Sequence, residues 1–395
     1  TKVELYDYAK REGELIFRDF GNHPSFVMFT LGNELGRNEG MFEMIAHFKQ
    51  TDPRHLYAQG SGNMHWNPSL PEGDDFWVTA KAGKKALPLR GSFSLLDFPN
   101  APIESQPPNT LFDFSESTSG VPVPMVGHET GQYQVSPDYR DIPKFTGVTR
   151  ARNYEIFRER IKQAGMLAQA HDFVRASGAL SAICYRADIE MALRTPELGG
   201  FQLLDIMDFP GQGTALVGML NVFMESKGVY RADKWRRFCC ETVPLLRIGK
   251  FTWTTDEELT AEVHVAHHGA ADIDDATVRA TLLGDDRGSI NFALAPTTIR
   301  RGGITSIGTV ALDLRQVESD PPRQLLLELE IEGTHYRNTY PVWIYPPTVD
   351  TDPPPGVMIA RSFSAAGTQD HLRGGGKVLL LPEPGTLPHS VPGGF

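Results

Sequence analysis

Two glutamates stand where chemistry is most readily built. Glu34 closes the run Phe26-Val-Met-Phe-Thr-Leu-Gly-Asn-Glu34, and Glu129 closes Pro124-Met-Val-Gly-His-Glu129. Each run is short, apolar and bounded by turn residues, which predicts a buried strand. A carboxylate directly after a buried strand costs stability unless it is partnered or placed for a purpose. The carboxyl ends of parallel strands are the face on which reactive groups gather. Two carboxylates converging there suit cleavage of a glycosidic bond. One donates a proton to the leaving oxygen; the other attacks the anomeric carbon or activates water. Burial and mutual repulsion would push their pKa values apart and so separate the acid from the nucleophile. The plain alternative for either glutamate is a capping or salt-bridged carboxylate.

The elements that must position this pair follow from hydrophobic spacing. Residues 3–20 predict an amphipathic helix that Gly21-Asn22-His23-Pro24 stops. Helical spacing recurs over 39–49, as one long helix over 150–177, and near 186–194, 214–225 and 231–241. Strand candidates are 26–33, 55–61, 76–80, 124–129 and 201–206. Residues 83–120, rich in Gly, Pro and Ser, predict a long insertion. Strands alternating with helices over 1–245 indicate an α/β fold with a parallel sheet, most simply the later strands of a (β/α)8 TIM barrel. Five strands are too few to close a barrel of eight.

From about Phe251 the period changes to two, as in Thr260-Ala-Glu-Val-His-Val-Ala and Leu325-Leu-Leu-Glu-Leu-Glu-Ile. This predicts a β-sandwich over 251–346. Residues 347–395 then read as a Pro-rich linker and the start of a further α/β domain, with Gly374-Gly-Gly-Lys-Val-Leu-Leu-Leu as its opening strand.

Composition excludes several functions. At 395 residues, two or three domains of roughly 150 residues each are expected. A net charge of −11 argues against a nucleic-acid partner. No run approaches the length of about 18 apolar residues that a membrane span needs, so no membrane partner is expected. Three cysteines with no C-x-x-C spacing predict neither a disulfide framework nor a structural zinc site. The opening residues carry no basic-then-apolar leader. Periplasmic or secreted placement would need a leader on a further N-terminal segment. His267-His268 reads as an exposed turn, and Gly374-Gly-Gly precedes a strand rather than opening a helix, against a dinucleotide site.

Asn22-His-Pro-Ser-Phe-Val-Met-Phe-Thr-Leu-Gly-Asn-Glu34 resembles the acid/base signature of glycoside hydrolase family 2, which includes β-galactosidases and β-glucuronidases. Val126-Gly-His-Glu129-Thr-Gly-Gln-Tyr133 resembles that family's nucleophile strand, and Gly199-Gly-Phe-Gln-Leu-Leu-Asp-Ile-Met-Asp208 its last barrel strand. The resemblance implies a retaining exo-β-glycosidase acting on terminal sugars of oligo- or polysaccharides, galactose or a uronic acid first. Glu34 would be the acid/base, Glu129 the nucleophile and Asn33 the partner of the sugar 2-hydroxyl. It implies an immunoglobulin-like sandwich at 251–346. It also implies that a second chain or a further N-terminal part completes the barrel. The mechanism requires no metal and no cofactor.

Pleating alone would point Asn33 and Glu34 to opposite faces, so the strand must bulge or end there. Asn63, His65 and Trp66 should lie in a loop on the active-site face, with Trp66 stacking on a sugar or merely packing. Tyr133 could bond to Glu129 or serve structure. Asp205 and Asp208 could bind hydroxyls or form caps and ion pairs. A different class of function, a non-catalytic carbohydrate-binding protein, or an inactive fragment of a larger glycosidase, is the alternative.

Overall fold

The computed structural model describes residues 2–62, 68–83, 85, 87–92, 101–209, 216–284, 288–317, 321–348, 350–383 and 385–387. The chain is mixed α/β. Its first half begins with helix α1 (Lys2–Phe20), whose Phe17 packs edge-on against Phe29 and Phe48 at 4.9 and 5.0 Å. The helix ends where Gly21 donates to Phe17 O. A Cβ at position 21 would sit 2.3 Å from that same oxygen, so glycine is required there. Helix α2 (Glu39–Thr51) is capped by Asn38, which accepts from Met41 N. Met44, Ile45 and Phe48 form its buried face, against Phe17 and Tyr57.

Five parallel strands follow one another in space as in sequence: β1 (Met28–Thr30), β2 (Leu56–Ala58), β3 (Trp77–Thr79), β4 (Met125–Gly131) and β5 (Leu198–Leu204). β1 pairs with β2, β3 with β4 and β4 with β5. The bridges Asn33–Ser61 and Ser61–Val78 join the two groups. Between β4 and β5 run helices α3 (Arg152–Gln163) and α4 (Ala170–Leu193). The single helix expected over 150–177 is broken. Gly165 takes a left-handed φ of +73°, and Met166 N donates to Ile161 O, which closes α3 with a reversed turn before the chain restarts. The helix expected near 214–225 is absent from its described part, 216–225, which forms bridges at Leu220 instead. That near 231–241 shrinks to Ala232–Trp235.

Two sheets enclose one large apolar core. The first holds 242–248, 258–267 and 303–313; the second holds 252–254, 278–283, 289–292, 323–331 and 337–345. Burial alternates along Glu258–His267, as the period of two requires. The strand Thr242–Ile248 pairs with Glu258–His267, so this layer takes in residues ahead of Phe251. The mostly apolar stretch from Phe238 to Ile248 does not separate helix from strand period, so the sequence did not announce it. His267 is not an exposed turn residue: it is buried, with Nδ1 2.8 Å from Thr242 Oγ1 and Nε2 2.7 Å from Ala271 O. The pairing that captures 242–248 also covers this ring.

Near the C-terminus, strands Val357–Ala360 and Lys377–Leu380 pair in parallel around helix Ala366–Arg373. The Gly374-Gly-Gly segment therefore leads into the second strand of this unit and not its first. No described helix is long and apolar enough to cross a membrane.

Helix α4 ties the parallel layer to the paired sheets. Glu190 is 2% exposed and accepts from Arg186 Nε (2.8 Å), Asn338 Nδ2 (3.0 Å) and Tyr340 Oη (3.0 Å). The Arg186 guanidinium stacks over the Tyr340 ring at 4.4 Å. Burial would raise the Glu190 carboxyl, but Arg186 and Arg194 outweigh it and hold its pKa below the usual range.

Candidate active site

Glu34 sits where β1 stops. Its N–H donates to Ser61 O at 2.8 Å, and Ser61 N–H donates to Gly32 O at 2.9 Å. The backbone then turns left-handed, with φ +53° at Glu34. Few residues other than glycine adopt this conformation, at a cost of about 1 kcal/mol. β1 has ended at Thr30, Asn33 keeps a single parallel bridge to Ser61, and the left-handed turn at Glu34 falls at the step where pleating alone would have split the two side chains.

Glu129 is placed by a bulge. Gly127 pairs with Phe201 and Thr130 with Leu203, so His128 and Glu129 together oppose Gln202 alone. Glu129 is also left-handed, at φ +49°. Its backbone oxygen accepts from Arg90 Nη1 at 2.8 Å, and its Oε2 accepts from Gln132 Nε2 at 3.2 Å. His128 is buried; its Nδ1 lies 3.0 Å from Gln202 Oε1 and its Nε2 3.6 Å from Glu129 Oε1.

The two glutamates converge. One carboxylate oxygen of Glu34, one of Glu129 and one ring nitrogen of His128 lie within 4.8 Å of one another. The nearest oxygens of the two carboxylates thus border one space. An imidazole nitrogen with two carboxylates is also a donor set that a divalent cation such as zinc accepts. Glu34 is exposed and Glu129 half-buried. A cavity of about 480 Å³ lies elsewhere, lined by Asp138, Lys144, Asp208 and Lys227 among others.

The other sequence candidates separate. Asn33 bridges to Ser61 beside Glu34. Asn63, His65 and Trp66 lie outside the described residues. Tyr133 does not bond to Glu129: its hydroxyl donates to Asp188 Oδ2 at 3.1 Å, and its ring meets Tyr185 edge-on at 5.1 Å. Burial, reinforced by the Asp188 charge, pushes its phenol well above the usual range. The left-handed turn at Gln132 (φ +68°) brings Gln132 rather than Tyr133 to Glu129. Asp205 follows a cis Leu204–Asp205 peptide and accepts from Ile206 N at 2.7 Å. Asp208 is buried, and its Oδ1 accepts from Lys227 Nζ (2.7 Å) and Gly218 N (3.0 Å). The ion-pair alternative describes it better than hydroxyl binding, because that oxygen is already engaged. Burial raises the Asp208 carboxyl despite the opposing ammonium.

Sequence reading missed Arg90, His128, Gln132, Asp188 and Gln202. His128 and Gln132 flank Glu129 closely enough to have been suspected. Arg90 lies in the stretch read as an insertion and Asp188 within a helix, and neither carries a local signal. Burial is the strongest influence on Arg90 and lowers its pKa, while Asp188, Glu129, Tyr133 and Glu34 pull the other way.

Residues 257–346 match the model of a family described as a domain of unknown function (DUF8488). No curated protein matches the sequence. Several solved structures are weakly similar. The β-glucuronidase of Parabacteroides merdae is 13% identical over 88% of this chain and 39% of its own, at a TM-score of 0.34. β-Glucuronidase 3 of Bacteroides uniformis is 13% identical over 87% and 40%, at 0.33. The endo-β-1,4-mannanase of Thermotoga petrophila is 15% identical over 87% and 71%, at 0.25. The chain therefore spans about two fifths of the length of the two β-glucuronidases. TM-scores this low carry no argument about function, which rests on the site itself.

Proposed function

We propose that the chain carries the catalytic pair of a retaining exo-β-glycosidase. The observation that carries this reading is the approach of one carboxylate oxygen of Glu34 and one of Glu129 to within 4.8 Å, Glu34 following β1 and Glu129 lying in the second half of β4. In the first step Glu129 attacks the anomeric carbon while Glu34 gives its proton to the glycosidic oxygen. The aglycone leaves as an alcohol and the sugar stays as an ester on Glu129. In the second step Glu34, now a carboxylate, takes a proton from water as that water attacks the same carbon. The ester breaks and the sugar leaves with its original configuration. Asn33 holds the sugar 2-hydroxyl; Asn63, His65, Trp66 and Asp205 offer further hydroxyl or stacking contacts. The substrate is a terminal sugar of an oligo- or polysaccharide, galactose or a uronic acid first, with water as the acceptor, and the chemistry needs no metal.

In this reading the five parallel strands are part of a (β/α)8 barrel and the paired sheets an immunoglobulin-like sandwich. The exposed apolar groups at the strand edges support it. Val27, Met28 and Leu56 are 51%, 39% and 39% exposed beside β1 and β2, and Ile206 and Phe209 are 62% and 53% exposed beyond β5. Parallel sheets are normally covered on both faces. A second chain or a further part of the polypeptide completes this one. The same open edges favour a second reading, a carbohydrate-binding protein without turnover. Assay of a panel of chromogenic β-glycosides separates the two. Turnover that Glu129→Ala abolishes supports the glycosidase; saturable sugar binding with no turnover by the assembled protein supports the binding protein.

A further inference from the structure

Behind the glutamates lies a closed ring of buried contacts that spans three distant parts of the chain. Asp188, on α4, is fully buried. Its Oδ1 accepts from Gly91 N at 2.6 Å, and its Oδ2 accepts from Gly131 N and Tyr133 Oη, both at 3.1 Å. Gly91 directly follows Arg90, whose Nη1 donates to the backbone oxygen of Glu129. Gly131 lies two residues past Glu129. One carboxylate therefore holds both the residue beside Arg90 and the far side of the bulge that carries Glu129. Gly131 has φ +100°, and a Cβ there would sit 2.1 Å from the Tyr185 ring, so the bulge is pressed against α4 at a point only glycine permits. Ser181 of the same helix donates to Tyr133 O at 2.8 Å.

We infer that Asp188 is a positioning residue: through Gly91, Gly131 and Arg90 it fixes the Glu129 bulge and sets the charge balance behind the two glutamates. Its kinetic consequences rest on the glycosidase reading; the clamp itself does not. The titratable and charged groups facing Asp188 are Arg90, Tyr133 and Tyr185. Burial pushes Asp188 up to about 6, with its three donors and Arg90 opposing, so at neutral pH it is mostly ionised. Arg90 feels Asp188, Glu129 and Glu34 together. Removing the Asp188 charge leaves the Arg90 cation, which lies behind both glutamates, less compensated.

The test is Asp188→Asn in the full chain. The amide keeps the shape and one acceptor oxygen but loses the charge and one N–H acceptor. Hydrogen exchange at the Gly91 or the Gly131 amide, whichever then faces the new amide nitrogen, should rise about tenfold or more, while exchange in the paired sheets stays unchanged. On a β-glycoside that the wild type turns over, kcat should fall roughly 10- to 100-fold, the scale of a misplaced reacting group, with KM changed little. The pH profile of kcat/KM should change with the lost charge, which a merely structural role would not produce. A folded Asp188→Asn variant with unchanged exchange at both glycines, or with unchanged kcat and pH profile, overturns the proposal. If Asp188→Asn does not fold, Tyr133→Phe decides. It retains the charge, so it should raise exchange around residues 131–133 and lower kcat without moving the pH profile; no change in either overturns the clamp. If the assembled wild type turns over no glycoside, the glycosidase reading falls and exchange alone judges the clamp.

Discussion

The left-handed backbone at Glu34 and Glu129 is the residue-scale feature on which the proposed chemistry turns. Both positions accept a local cost to re-aim a carboxylate out of a strand, and both then face one space. The pair should be unequal under mutation. With an aryl glycoside whose leaving group needs little protonation, Glu34→Ala should slow turnover by roughly 10²- to 10⁴-fold, the range of one general acid/base. Glu129→Ala removes the proposed nucleophile and should cost at least about 10⁴-fold. Steady-state kinetics on the two variants checks this, and equal losses would speak against the assigned roles.

A second residue-scale prediction concerns Asp74. It is 7% exposed, accepts from Gln59 N at 3.1 Å, and burial pushes it up to about 6. A carboxyl whose folded pKa exceeds its unfolded value favours the folded state while protonated. That contribution is complete below about pH 4 and is lost as pH rises through about 6. Asp74→Asn should therefore raise Tm relative to wild type more at pH 7 than at pH 4.5, as thermal melts at the two values would show.

At the scale of elements, what was legible depended on how local the signal is. The strands ending at Asn33 and in the Gly127–Glu129 stretch announce themselves as apolar runs closed by chemistry-bearing residues, and the turn at Asn22-His23-Pro24 punctuates the first. The positions of Glu34 and Glu129 followed from those runs alone. Arg90 and Asp188 did not, because they reach Glu129 only through folding contacts separated by 39 and 57 residues in sequence. Helix spacing over 150–177 continues through Gly165, so periodicity gave one helix where a left-handed turn makes two. Gly165→Ala should cost about 1 kcal/mol for placing a Cβ at φ +73°, read as a lower midpoint in urea unfolding. The strand 242–248 was hidden for a related reason: Phe238 to Ile248 is a mostly apolar stretch in which helix and strand periods are hard to separate.

At the scale of the whole molecule, α4 serves two neighbours at once. Asp188 faces the Glu129 bulge, and Glu190, two residues on, is tied to Asn338 and Tyr340 of the paired sheets. Taking away the buried Glu190 charge leaves Arg186 and Arg194 uncompensated, so Glu190→Ala should cost about 3–5 kcal/mol in equilibrium unfolding. Glycosidase chemistry requires that the space between the glutamates hold one sugar ring through two displacements. The anomeric configuration of the first product tests this most directly. Proton NMR of a β-glycoside digest by the assembled protein, recorded before mutarotation, should show the β-anomer appearing first. Initial release of the α-anomer would contradict a covalent intermediate on Glu129 and with it the account of this pair.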